Sequence, residues 1–158
     1  MTAIKEGTEV YFENLLSIRK KVFQTEIQKE LIGIAEHMKK NQAMKAGPLI
    51  TSTFSSSIVN GLHLLDMEIM IPINKVIYDE EDYTLKKKFH LVNAVTCRHV
   101  GNPETIQNTY DSLINYISDK QLQQITAAYN VYEKDSSEIV SLDDMIIAVY
   151  IGVNPSVL

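Results

Sequence analysis

One structural unit is written twice in this chain. Leu16-Ser17-Ile18-Arg19 is answered half a chain later by Val95-Thr96-Cys97-Arg98, and Ile27, Leu31, Ile34, Ala35 and Met38 recur in register as Ile106, Tyr110, Leu113, Ile114 and Ile117. Near the end of each copy, residues 65–71 are echoed by residues 143–149, with a one-residue change of offset that a loop absorbs. A duplicated unit of this size is expected to pack against itself about a pseudo-twofold axis, with a shared cleft along that axis.

Each copy reads as strand, helix, strand, strand. In the first, residues 14–22 form a strand, and Thr25-Glu26-Ile27-Gln28 offers a capping box ahead of a helix whose apolar residues recur at i, i+4, i+7 and i+11. The helix runs out in Lys39-Lys40-Asn41, cations where its dipole is negative, before Gly47-Pro48. Residues 49–54 form the next strand, Ser55-Ser56-Ser57 and Asn60-Gly61 a polar connection, and residues 65–73 a strand with Met67, Ile69, Ile71 and Ile73 on one side. The second copy places strands at 92–99, 126–132 and 144–153 and a helix at 103–118, started by Asn102 as cap and Pro103 in the first turn. Between the copies, Asp79-Glu80-Glu81-Asp82 and Lys86-Lys87-Lys88 read as a solvated connector and edge whose opposed charges neutralise one another.

Composition excludes several classes. With 45% apolar residues, 158 residues suffice for one core without staples. Twenty acidic against 15 basic side chains, a net charge of −5, argue against a nucleic-acid surface of clustered Lys and Arg. No apolar run approaches the ~18–20 residues of a membrane span, so a cytoplasmic chain is expected. Cys97, the sole cysteine, lies in an apolar strand pattern and reads as an inert core thiol.

Arg98-His99-Val100-Gly101 before the second helix, Ala46-Gly47-Pro48 before a strand, and Asp66-Met67-Glu68-Ile69-Met70-Ile71-Pro72-Ile73 resemble, in order and spacing, the GyrI-like effector-binding domain. That family comprises small-molecule-binding modules of bacterial transcription activators, and also free-standing proteins. The resemblance covers nearly the whole chain, residues 1–158, with repeats at about 14–74 and 93–153. It implies an α+β fold: duplicated β-α-β-β units forming one curved antiparallel sheet, helices on one face and a ligand cavity on the concave face.

The chain departs from the family pattern at one place. Ligand-binding members commonly carry a cavity Glu on the last strand of the second copy for cationic drugs; by internal repeat the aligned position here is Ile146. Glu68 holds the equivalent place in the first copy. Alternation puts Glu68 and Met70 on the face away from Met67 and Ile69, and Ile146, Ala148 and Tyr150 on the same face of the second copy. An apolar wall with one carboxylate and one phenol suits a cationic or amphipathic small molecule; the plain alternative is a Glu68 that points to solvent. These five residues are the candidate ligand site. Arg19 and Arg98 alternate onto that face too, to be paired or solvated; Phe54 and Tyr11 are rim candidates with packing as the simpler role, and of Tyr129 and Tyr132, on opposite faces of one strand, only one can look into a cavity while the other takes a core role.

His37, His63, His90 and His99 show no ligand spacing, so no metal and no cofactor is expected. No phosphate loop or nucleophile motif is present, and no catalytic residue is assigned. The leading reading is a free-standing effector-binding domain for a small organic ligand, linked to transcription regulation or drug sensing and lacking its own DNA reader. The runner-up is an adaptor, inhibitor or secretion-associated chaperone for a protein partner, with a degenerate pocket. Third stands a hydrolase of small electrophiles, for which Glu68 and Tyr150 would have to replace the missing acid. Ligand, partner and oligomeric state are not written in the sequence.

Overall fold

The computed structural model describes residues 3–134 and 144–157. Among these are two helices and six strands: β1 (Lys5–Phe23), α1 (Ile27–Lys40), β2 (Ile50–Val59), β3 (Leu62–Pro72), β4 (Tyr83–Val100), α2 (Ile106–Asp119), β5 (Gln124–Tyr132) and β6 (Ile146–Val153). The chain divides into two compact units, Phe12–Phe89 on the one hand and Met1–Tyr11 with His90–Leu158 on the other. The long strands β1 and β4 run through the unit boundaries, so each unit holds a piece of both.

In the Phe12–Phe89 unit, β3 is central. It pairs antiparallel with β1, from Leu15 opposite Pro72 to Phe23 opposite Leu64, and with β2, from Ile50 opposite Met70 to Val59 opposite Leu62. Asn60 and Gly61, at φ 51° and 79°, close the β2–β3 hairpin in the doubly left-handed turn that matches strand twist. That two-residue turn leaves Ser55-Ser56-Ser57 inside β2, where a loop was expected. The stripe Ile27, Leu31, Ile34 and Met38 of α1 lies on Leu16, Ile18, Val22, Met67, Ile69 and Ile71. Each such side chain, fully buried, contributes about 1.5–3 kcal/mol.

The other unit holds α2, β5 and β6 with the C-terminal part of β4. Its central strand β6 pairs with β4, from Ala94 opposite Gly152 to Val100 opposite Ile146, and with β5, ending at Tyr132 opposite Ile147. Leu113 and Ile117 of α2, flanked by Ile106 and Tyr110, pack on Val95, Cys97, Ile147, Val149 and Ile151. Cys97 is 2% exposed within this core, and burial pushes its thiol above its ordinary value.

Three local expectations are corrected. Residues Gln24–Glu26 already form a 3-10 turn, so Thr25 sits inside that turn and Glu26 takes the cap position of α1; no side chain caps it. The supposed connector reaches only to Asp82, since β4 starts at Tyr83 and carries Lys86-Lys87-Lys88 as strand residues. Asp79 braces that start by accepting the Leu85 N–H at 2.9 Å. The second helix departs in the same way: Asn102 accepts the Glu104 N–H at 3.0 Å and Pro103 opens a 3-10 turn, Pro103–Thr105, and α2 follows only from Ile106, with Thr105 in its cap position and no side-chain cap.

Candidate functional site

In both units the strand face away from the helix carries the polar residues singled out by alternation. Glu68 is flanked in register by Arg19 on β1 and Ser52 on β2. It is only 5% exposed, and Met70 beside it is wholly buried. Its carboxylate is engaged: Lys86 Nζ lies 2.6 Å from Glu68 Oε2. Glu68 therefore does not point to solvent, and it is not an uncompensated anion. Leu85 packs in the α1 core while Lys86, its neighbour, faces the other way. Carrying strand alternation back to residue 83 would have put Lys86 on the face away from α1, though not against Glu68 in particular.

The arginines are paired, each within its own unit. Arg19 forks onto Asp66, Nε to Oδ1 at 3.3 Å and the terminal nitrogen to Oδ2 at 3.2 Å, and its guanidinium stands 4.0 Å over the Phe54 ring. Phe54 is the residue where the β2–β3 register shifts, and such a bulge re-aims the side chain it carries. Arg98 Nε meets both oxygens of Glu133 at 3.0 and 2.9 Å. Tyr132 packs in the α2 core, whereas Tyr129 is the strand partner of Tyr150. Tyr11 makes an edge contact with His90 at 5.1 Å between centroids.

A cavity of about 210 Å³ opens in the second unit. Ala148 and Tyr150 of β6 form one wall and Thr96, Cys97 and Arg98 of β4 another. Ala3, Lys5 and Thr8 of the N-terminal segment complete it. Of the candidate residues, then, Ala148 and Tyr150 share a cavity; Ile146 is half-buried further along β6, and Glu68 and Met70 belong to the other unit. Lys5, Thr8 and Glu133 escaped the sequence reading, which began the first strand at residue 14, whereas β1 starts at Lys5. Burial first, then the Glu133 carboxylate, push the Tyr150 phenol above its ordinary value; Arg98 and a hydrogen bond with Thr96 oppose them. Tyr150 is thus protonated at neutral pH and available as a donor.

The Arg98-His99-Val100-Gly101 segment has a structural explanation. His99 Nε2 lies 2.8 Å from the Asn102 carbonyl, so this nitrogen carries the proton, and Nδ1 accepts from Thr109 Oγ1 at 2.9 Å. Gly101, at φ 121°, adopts a backbone closed to other residues and donates its N–H to the Met145 carbonyl at 2.9 Å. Among the described residues no cluster of three or more His, Cys, Asp and Glu gathers as a metal site, and no helix is long and apolar enough to cross a membrane.

Neither a family model nor a curated protein matches the sequence. Solved structures do match its fold. The protein is similar over 98% of its length to the crystal structure of the EcmrR C-terminal domain, covering 97% of that domain at TM-score 0.69 and 16% identity. In the cryo-EM structure of the EcmrR–DNA complex the similarity has TM-score 0.77 and 17% identity, and this chain, 98% covered, spans 57% of the EcmrR chain. A hydrolase from Listeria innocua matches at TM-score 0.58 and 14% identity, over 93% of this chain and 91% of that one. SAV2435 bound to tetraphenylphosphonium matches at TM-score 0.51 and 13% identity, over 97% of this chain and 93% of that one. At these identities the likeness establishes a common fold, that of the EcmrR C-terminal domain.

Proposed function

We propose that this protein is an effector-binding domain of the GyrI-like kind, taking a small organic molecule on the helix-free strand face and serving transcription regulation or drug sensing in the cytoplasm. Residues 14–74 and 93–153 are read as its internal repeats. The observation that carries the reading is the cavity walled by Ala148 and Tyr150, on a fold shared from end to end with the EcmrR C-terminal domain. SAV2435, of the same fold, is bound to tetraphenylphosphonium, which makes lipophilic cations the first ligands to try. Glu68, Met70, Ile146, Ala148 and Tyr150 remain the proposed ligand residues, with Glu68 the group for a cation. A cation at Glu68 has to displace the Lys86 ammonium, so its affinity is reduced by the strength of that pair.

We read the protein as a binder rather than an enzyme, and without direct contact to nucleic acid. Its test is calorimetric titration of tetraphenylphosphonium and related cations into the native protein, Glu68→Gln, Tyr150→Phe and the double variant. Loss of one charge-assisted contact corresponds to about 1.5–3 kcal/mol, roughly ten- to a hundredfold in affinity. Equal binding by Glu68→Gln removes Glu68 from the site, and the double variant decides whether Glu68 and Tyr150 serve one ligand. A second reading, a protein-partner adaptor, is favoured by the neutralised Glu68 and the absence of an acid at Ile146. It takes over if no small molecule binds.

A further inference from the structure

The proposed function leaves the ligand's chemistry open, and the cavity beside Tyr150 carries charge of a definite sign. Two of the residues lining it are cations, Lys5 and Arg98, and none is an acid. Three more, Thr8, Thr96 and Tyr150, bring hydroxyl groups. Glu133 takes the Arg98 Nε–H with both oxygens, which offsets one positive charge and fixes the guanidinium plane at the cavity. Lys5 is exposed and forms no ion pair with a described residue, so among these its charge is not compensated. The balance of Lys5, Arg98 and Glu133 is one net positive charge at a half-enclosed space.

The rest of the lining limits the body of the ligand. Ala148 is 2% exposed and Tyr150 is half-buried, so the two offer an apolar surface beside the hydroxyls and cations. About 210 Å³ is below the ~300–1,000 Å³ of sites for drug-sized molecules. Neither the volume nor the sign of this cavity draws a bulky cation, which Glu68 has to hold if one binds.

We infer that this cavity binds a small amphipathic monocarboxylate, its carboxylate received by Lys5 and Arg98 with the Tyr150 hydroxyl and its apolar body laid against Tyr150 and Ala148. The inference rests on the small-molecule reading and fixes the ligand class at its second-repeat half, opposite in sign to the class expected at Glu68. A carboxylate is matched by a planar guanidinium held in place, by a mobile ammonium that needs no exact geometry, and by a phenol that is protonated at neutral pH.

The test is calorimetric titration of 2-naphthoate, its neutral isostere 2-naphthamide, and tetraphenylphosphonium into the native protein, Lys5→Gln and Tyr150→Phe. Lys5 is exposed, so its replacement leaves the fold intact. The expected result is tighter binding of the naphthoate than of the amide, and a roughly three- to tenfold loss of naphthoate affinity in Lys5→Gln. Raising the salt concentration should also weaken the acid and leave the amide unchanged. Equal affinities for acid and amide, or naphthoate binding indifferent to Lys5→Gln, overturn the inference and leave the small-molecule reading standing. Binding of tetraphenylphosphonium alone does the same. Binding of none of the three overturns both.

Discussion

Lys86 Nζ sits 2.6 Å from Glu68 Oε2, an ion pair in which the carboxylate side chain is 7% exposed and the ammonium side chain 38%. Removing the carboxylate's partner leaves a desolvated charge without compensation, whereas removing both leaves none. Breaking fully buried pairs costs about 3–5 kcal/mol, and the exposure of Lys86 brings the expected cost of Lys86→Met to roughly 1–3 kcal/mol. Glu68→Gln/Lys86→Met should recover most of that loss in urea unfolding. Additive losses would mean that the two side chains are stabilised independently. The single variant Lys86→Met should also bind lipophilic cations more tightly than the native protein if Glu68 receives them, because no resident cation then competes.

His99 and Thr109 tie the end of β4 to α2 through a buried contact of 2.9 Å, with Thr109 1% exposed. Thr109→Val keeps the shape and removes the hydroxyl that donates to Nδ1. The expected loss is about 1–3 kcal/mol, the cost of leaving a buried acceptor unmade. A change under half a kcal/mol in chemical unfolding would show that this hydrogen bond is replaced by another donor.

The sequence revealed the part of the fold that depends on periodicity. Ile27, Leu31, Ile34 and Met38 are one stripe, Met67, Ile69 and Ile71 one strand face, and both meet in the α1 core as their spacing requires. The side-chain alternation of Glu68 against Met67 and of Tyr150 against Val149 was equally legible, because a strand offers only two faces. Partners were not legible. Nothing in the order of residues tells Glu68 that Lys86, rather than its register neighbour Arg19, will reach it, since that choice depends on where the bulge at Phe54 and the Asp66 carboxylate hold the arginine. Lys5 and Thr8 were missed for a related reason. A polar segment with no apolar stripe gives no periodic signal, although these residues belong to β1.

Gly47, in the segment entering β2, lies close against Pro72 at the end of β3. A Cβ there would stand 2.8 Å from Pro72 Cγ and 3.0 Å from Pro72 Cβ, while the neighbouring Ala46 N–H already binds the Pro72 carbonyl at 2.8 Å. The proline ring is rigid and cannot swing away. Gly47→Ala should destabilise by about 1–3 kcal/mol through overpacking, against the small gain that reduced unfolded-state freedom would give at an open site. Thermal unfolding of Gly47→Ala beside Gly7→Ala checks this with an internal reference, since a Cβ at Gly7 meets nothing within 4 Å although its φ of 66° adds strain. A milder effect at Gly47 than at Gly7 would contradict the steric account.

Tyr110 contributes to the alkaline limit of the protein's stability. Its hydroxyl donates to Asn130 Oδ1 at 2.7 Å, and burial pushes the phenol from 10.0 up to about 12. Because the folded value is raised, the native state keeps the proton over a range where the unfolded chain has lost it. Stability from this group is therefore intact below pH 10, declines as pH rises from 10, and is exhausted above about 12. At 1.36 kcal/mol for each pH unit, the whole loss is on the order of 2–3 kcal/mol. Tyr110→Phe removes the titration, and with it the hydrogen bond, so the variant should start less stable at neutral pH and lose less between pH 10 and 12 than the native protein. Parallel stability curves for the two proteins across that interval would place the alkaline sensitivity elsewhere.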